Sequence, residues 1–117
     1  MAAPIIQVWA DVLVLPIVGE LDRERAAEMT ERLLSELAAR QARHVILDLT
    51  SVEAIDSDTA GLLLRVLAAA QLLGVNGQLS GIRPDVAQAL VSAGIDLSRV
   101  STAATLHDGL RRCMAAS

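Results

Sequence analysis

The sequence of 117 residues contains no Phe and no Tyr, and its single aromatic residue is Trp9. Proteins that bind single-stranded nucleic acids stack bases on aromatic side chains, so this function class is disfavoured. The net charge is −4, whereas a nucleic-acid-binding domain would carry a basic patch. Because aromatic residues are nearly absent, the hydrophobic core must be built from Leu, Val, Ile and Ala.

Cysteine, histidine and long apolar runs are also scarce. One cysteine, Cys113, cannot form an internal disulfide, which fits a reducing cytoplasm. The histidines, His44 and His107, have no further ligand at metal-binding spacing. No apolar run reaches the roughly 18 residues of a membrane span, and the N-terminus lacks the basic segment of a signal peptide. We expect a cytoplasmic protein without a metal or other cofactor.

The apolar pattern predicts an α/β fold. Short segments rich in Val, Ile and Leu predict strands at residues 5–9, 12–18, 44–49, 78–80 and 97–100. Helical periodicity and terminal signals predict helices at about 22–40, at 57–73, from Pro84 to near Gly94, and from about Thr105 onward. The order β-β-α-β-α-β-α-β-α predicts a single domain, residues 1–117, with a mixed, mostly parallel sheet of about five strands and four or five helices.

Pro16 and the second predicted helix each lead to a further expectation. Pro16 lacks an N–H, so we expect it at a sheet edge or at a bulge. The second predicted helix is apolar almost all round, with Arg65 and Gln71 as its polar side chains. Either another helix or another subunit must cover such a surface. We favour a subunit interface and expect at least a dimer.

The candidate site is the segment Asp56-Ser57-Asp58-Thr59, where the third strand gives way to the second helix. In one interpretation the Ser57 hydroxyl caps the helix by accepting a hydrogen bond from an unpaired N–H group. In the other, Ser57 is phosphorylated, and the helix dipole favours the added charge while both carboxylates oppose it. Sequence patterns alone do not choose between these interpretations.

Four motifs resemble those of STAS domains. They are Gly19-Glu20-Leu21-Asp22, Val45-Ile46-Leu47-Asp48-Leu49-Thr50, Ile55-Asp56-Ser57, and Ser80-Gly81-Ile82-Arg83-Pro84. The resemblance covers nearly the whole chain and implies the STAS fold. The segment SGIRPDVAQALVSAGIDLS is similar to the stressosome branch, which comprises RsbS and the C-terminal domain of RsbR.

The resemblance implies that Ser57 is the acceptor of a serine/threonine kinase of the RsbT type, with Thr59 as a less favoured acceptor. We expect no N-terminal sensor domain, and this expectation, together with Ser at this position, is RsbS-like, whereas Leu15–Glu20 and Ile82–Pro84 are closer to RsbR. Some RsbR domains carry a second acceptor threonine, and Ala89 stands at that place here.

Three function classes follow. The first is a non-enzymatic signalling scaffold that binds the kinase and related STAS proteins, and releases the kinase when Ser57 is phosphorylated. The second is an anti-anti-sigma factor or an accessory STAS domain that binds a transporter or a sigma-factor regulator. The third is a small phosphotransfer enzyme that uses Asp56 or Asp58, which is disfavoured because the sequence lacks a phosphate-binding lysine loop.

Overall fold

The structure, a computed structural model, describes residues 4–94, 98 and 100–116. Along the chain the elements are β1 (Ile6–Trp9), β2 (Val12–Leu21), α1 (Arg23–Ala39), β3 (His44–Ile55), α2 (Ser57–Leu72), β4 (Asn76–Ser80), α3 (Pro84–Ser92), β5 (Thr102–Ala103) and α4 (Leu106–Ala116). The strands form one sheet in the order β1-β2-β3-β4-β5. β1 is antiparallel to β2, and the other neighbouring pairs are parallel. The predicted mixed, mostly parallel sheet is confirmed.

The helices divide between the two faces of the sheet because side chains of a strand alternate in direction. On one face, buried residues of β2 and β3 such as Leu15 and Leu47 form the main core with residues of α1, α2 and α3. On the other face, Val14 and Ile46 pack against Cys113 of α4 in a smaller cluster. The aliphatic core that the sequence predicts therefore has two unequal layers, and the larger one lies beneath three helices.

Pro16 lies at an irregularity, as expected. β1 pairs with β2 only as far as Val14, so Pro16 lies beyond the end of that pairing. The register between β2 and β3 also shifts between Pro16 and Val18. A missing N–H is tolerated at such a position because no regular ladder bond is lost.

The predicted fifth strand at 97–100 is wrong in part. Residues 97 and 99 lie outside the described residues, while Ser98 and Val100 are not in a strand. The fifth strand is Thr102–Ala103, which pairs with Leu79 and Ser80 of β4. A strand of two residues has no periodicity that a sequence pattern could reveal. The terminal signal at Thr105 is confirmed, because its Oγ1 accepts a 3.1 Å hydrogen bond from the N–H of Asp108.

Neighbouring helices cover most of the apolar surface of α2. α1 and α3 flank α2, and Leu63 and Val66 are buried between these helices and the sheet. The exposed residues of α2 include Asp58, Arg65 and Leu72, and Leu72 is 89% exposed. Cover from within the chain therefore accounts for the flanks of α2, and a second subunit is not required there.

Two of the sequence motifs meet where the middle of β3 lies beside the carboxyl end of β4. The Oδ1 atom of Asp48 accepts hydrogen bonds from Thr50 Oγ1 at 2.8 Å and from Ser80 Oγ at 2.9 Å. Gly81 has φ +66°, and a Cβ atom there would lie 2.0 Å from Thr50 Oγ1. The backbone and the close approach both require glycine at this position. This contact joins the DLT and SGIRP segments of the neighbouring strands β3 and β4.

We predict that Gly81→Ala destabilises the protein more than Gly74→Ala. Both glycines have positive φ, but a Cβ at Gly74 would meet nothing within 4 Å. Gly74→Ala should therefore cost only the backbone strain of about 1–2 kcal/mol, while Gly81→Ala adds the clash with Thr50. Urea unfolding of both variants measures the difference. Equal losses would show that Thr50 moves aside freely.

Candidate functional site

The candidate site lies where two parallel strands end side by side. Leu21 of β2 pairs with Ile55 of β3, and each strand is followed by an aspartate that caps the next helix. Asp22 Oδ1 accepts a 2.8 Å hydrogen bond from the N–H of Arg25, and Asp56 Oδ1 accepts one of 2.7 Å from the N–H of Thr59. The N-termini of α1 and α2 therefore lie at the same end of the sheet, where β2 and β3 finish.

Arg25 reinforces the end of β2. Its Nη1 atom donates hydrogen bonds to the carbonyl oxygens of Val18 and Glu20, at 2.6 Å and 2.7 Å. These bonds span Gly19, which has φ +81°. Since the same residue donates its backbone N–H to Asp22, the GELD motif and the first turn of α1 are held together as one unit.

Ser57 does not cap α2, so the capping interpretation of Ser57 is wrong. The N-cap is Asp56, which has the extended backbone of a cap residue (φ −91°, ψ 171°), and Ser57 is the first helical residue. A carboxylate and a hydroxyl both suit an N-cap, and the position of the last strand residue gives the role to Asp56. The exposed Ser57 side chain forms no hydrogen bond with any residue that the structure describes.

The capping bond also sets the charge of Asp56. The hydrogen bond from the backbone N–H of Thr59 holds the pKa of the Asp56 carboxyl below its ordinary value. The positive charge of Arg23 at the start of α1 acts in the same direction. At neutral pH the residue before Ser57 is therefore a stable carboxylate, and it is bound to the helix N-terminus.

The two other residues of the loop differ sharply in exposure. Asp58 is exposed, whereas the Thr59 side chain is 0% exposed. One helical turn separates Asp56 from Thr59, and the turn directs Thr59 toward the core beside Ala60. The structure thus brings Asp56, Ser57 and Asp58 together at the surface and places Thr59 beneath them.

Two arginines complete the site. Ser57 and Asp58 line a shallow cavity of about 220 Å³ together with Arg23 of α1 and Arg65 of α2. Neither arginine was predicted from the sequence to belong to the site. Arg23 follows Asp22 directly, so the sequence places it at the start of a predicted helix. Its distance from Ser57 depends on the pairing of β2 with β3.

The remaining reactive side chains lie elsewhere. Cys113 is 2% exposed on α4, and burial raises the pKa of its thiol, which suits a structural residue. His44 is buried and His107 is exposed. Within residues 4–94, 98 and 100–116, no three His, Cys, Asp or Glu side chains come together in a way that could hold a metal ion. In the same ranges no helix is long and apolar enough to cross a membrane.

Comparison with known proteins identifies relatives over nearly the whole chain. The family model of the STAS domain matches residues 3–109. The RsbT co-antagonist protein RsbRA of Bacillus subtilis (strain 168) is 37% identical over 97% of this chain and 42% of its own length. The co-antagonist RsbRB of the same organism is 36% identical over 94% of this chain and 40% of its own length. The chain thus spans about two fifths of the length of these relatives.

Solved structures agree with this relationship. A Ser-to-Glu variant of Moorella thermoacetica RsbS is similar with a TM-score of 0.85 and 30% identity, over 97% of this chain and 95% of that one. A chain from a structure of the stressosome, described as a signal integration and transduction hub, gives a TM-score of 0.81 at 29% identity over 96% of each chain. The predicted STAS fold, with about five strands and four or five helices, is confirmed, and the described residues contain five strands and four helices.

We predict that Asp56→Ala lowers the free energy of unfolding at neutral pH more than Asp58→Ala does, because only Asp56 accepts the capping bond from Thr59. The folded-state pKa of Asp56 is lowered, so the capping stability is present above the unfolded-state value of about 3.9. It is lost as the pH falls through the folded-state pKa.

Urea unfolding of the wild type and both variants between pH 7 and pH 3 measures this effect. The gap between wild type and Asp56→Ala should narrow toward the acidic end. A gap that is independent of pH, or equal losses in the two variants, would contradict the capping role of Asp56.

Proposed function

The chain belongs to the STAS domain family, and from that membership we propose that it is a non-enzymatic scaffold of a stressosome-type partner-switching pathway. In this proposal residues 1–117 act as one STAS domain that binds a serine/threonine kinase of the RsbT type. Phosphorylation of Ser57 releases the kinase. The partner-binding loop consists of Asp56, Ser57, Asp58 and Thr59, of which Thr59 is buried.

The observation that carries this proposal is that the Ser57 hydroxyl is exposed and does not cap α2. Asp56 provides the cap of α2, so the exposed hydroxyl of Ser57 is available for chemistry without loss of the helix terminus. Thr59 is buried and would reach a kinase only after local unfolding, which favours Ser57 as the acceptor. The relatives named RsbT co-antagonists support a kinase of this type as the partner.

The phosphorylation step follows ordinary kinase chemistry. The Ser57 Oγ attacks the γ-phosphorus of ATP held by the kinase, ADP leaves, and the hydroxyl proton passes to a base of the kinase. The product carries an additional charge of about −1.5 to −2 beside the carboxylates of Asp56 and Asp58. A surface that fits the kinase in the unmodified state then repels acidic groups, and a loss of a few kcal/mol is enough to empty the complex.

We predict that Ser57→Asp weakens binding to the RsbT-type kinase by about tenfold or more, a change of about 1.4 kcal/mol. Ser57→Ala should retain binding and block release in the presence of ATP. Ser35→Asp is the matched control, because Ser35 is exposed on α1 outside the partner-binding loop. Calorimetric titration gives the affinities, and intact mass with peptide mapping locates the phosphate.

Equal affinities for Ser57→Asp and Ser57→Ala would contradict the switch. Absence of phosphate on Ser57, with the kinase active on another substrate, would favour an accessory binding domain instead.

We also propose that the scaffold assembles with further STAS domains, at least as a homodimer. The edge strand β1 is exposed along its length and presents Ile6, Val8 and Trp9, which are 47%, 37% and 40% exposed. Its outer backbone groups have no strand partner among the residues that the structure describes. Edge strands of this kind pair with other chains unless charge or proline prevents it.

We predict that Ile6→Lys shifts the protein toward monomer, because a lysine on an edge strand opposes strand pairing. Leu72→Lys is the matched control, since Leu72 is an exposed apolar residue on α2 and not on β1. Sedimentation velocity over a range of concentrations measures the assembly. A wild-type protein that stays monomeric at the highest concentration would contradict self-association, and an effect of Leu72→Lys alone would move the interface to α2.

A further inference from the structure

The cavity at Ser57 contains two cationic side chains that the proposed function does not use. All ten basic residues of the chain are arginines, and several have clear partners, such as Arg40 with Glu36 and Arg25 with backbone carbonyls. Arg23 and Arg65 differ. Among the residues that the structure describes, neither donates a hydrogen bond or forms an ion pair within 4 Å, although Arg23 is near enough to Asp56 to lower its pKa.

The spacing along α2 leaves room between Ser57 and Arg65. Ser57, Gly61 and Arg65 follow one another at intervals of four residues and so lie along one face of the helix. A Cβ atom at Gly61 would meet nothing within 4 Å, so the surface between the two side chains is open. Side chains of a helix point back toward its N-terminus, and this directs Arg65 over Gly61 toward Ser57.

We propose that Arg23 and Arg65 form a binding site for the phosphoryl group on Ser57. Arg23 approaches from the start of α1 and Arg65 from the second turn beyond Ser57, and both line the same cavity of about 220 Å³ as Ser57. A guanidinium donates two parallel hydrogen bonds to phosphate oxygens, which a lysine could not do. This inference rests on the proposed phosphorylation of Ser57.

The charges around the phosphate can then be balanced. Asp56 and Asp58 oppose the new charge, while Arg23 and Arg65 compensate for it. The Asp56 carboxylate already accepts the capping bond from Thr59, so its negative charge interacts with the N–H groups at the N-terminus of α2. The two guanidinium groups line the same cavity as Ser57 and can turn toward the phosphate. Once they bind it, they are no longer available to acidic groups of the kinase, so the modification removes two positive contacts and adds negative charge.

The test uses the complete chain with phosphoserine incorporated at position 57 during translation, so that no kinase is needed. The phosphorus NMR signal is followed against pH to give the second pKa of the phosphoserine, ordinarily about 6. Arg23→Gln and Arg65→Gln should each raise this pKa by roughly 0.3–1 unit relative to the unsubstituted phosphoprotein, since a stabilising cation is lost. Arg111→Gln is the control, because it removes an equal charge from the exposed side of α4.

A pKa that is unchanged in both variants would overturn the proposal, and so would an equal rise in the Arg111→Gln control. Thermal unfolding of each variant checks that the fold is retained, which we expect because Arg23 and Arg65 are exposed. The outcome is independent of the kinase. If the kinase leaves Ser57 unmodified while both arginines shift the phosphoserine pKa, the proposed function fails and the phosphate site stands. If the kinase phosphorylates Ser57 but the phosphoserine pKa does not shift in the variants, the phosphate site fails and the proposed function stands.

Discussion

The parallel pairing of β2 with β3 is the constraint on which the rest of the site depends. Because the strands run in the same direction and Leu21 pairs with Ile55, the segments that follow β2 and β3 leave the sheet at the same end. Each strand is followed by an aspartate whose carboxylate caps the next helix. Two helix N-termini, two capping carboxylates and the first residues of α1 and α2 are thereby brought together, although 34 positions separate Asp22 from Asp56.

This arrangement separates the residues of the loop that stabilise the fold from the exposed residue proposed as the phosphate acceptor. Asp56 stabilises the helix terminus, and Thr59 lies in the core beneath it. Ser57 is left at the surface between them, so a chemical change on its hydroxyl alters the surface without removing a cap. The contact of Asp48 with Thr50 and Ser80 joins the middle of β3 to the end of β4, and Gly81 allows the chain to pass close to Thr50. These contacts hold β3 and β4 together, while the hydroxyl of Ser57 stays exposed.

Sequence reasoning succeeded where local signals are strong and failed where a tertiary contact decides. The periodic apolar residues of α1 and the proline at the start of α3 were sufficient to place those helices. Ser57 was one candidate for the cap of α2 because serine and aspartate are both good caps, and only the end of β3 at Ile55 distinguishes them. The fifth strand was misplaced because two residues joined to β4 have no pattern of their own. The surface of α2 was expected to need a second subunit, since nothing in the sequence shows that α1 and α3 flank it.

The sequence by itself determined the order of strands and helices, the aliphatic core, the family resemblance and the loop that carries Ser57. These follow from periodicity, caps and short motifs, which are properties of neighbouring residues along the chain. The tertiary structure alone decided that Asp56 is the cap, that Thr59 is buried, and that Arg23 and Arg65 share a cavity with Ser57. The distance between Arg23 and Ser57 is set by the register of β2 against β3, and register is a contact between residues far apart in sequence.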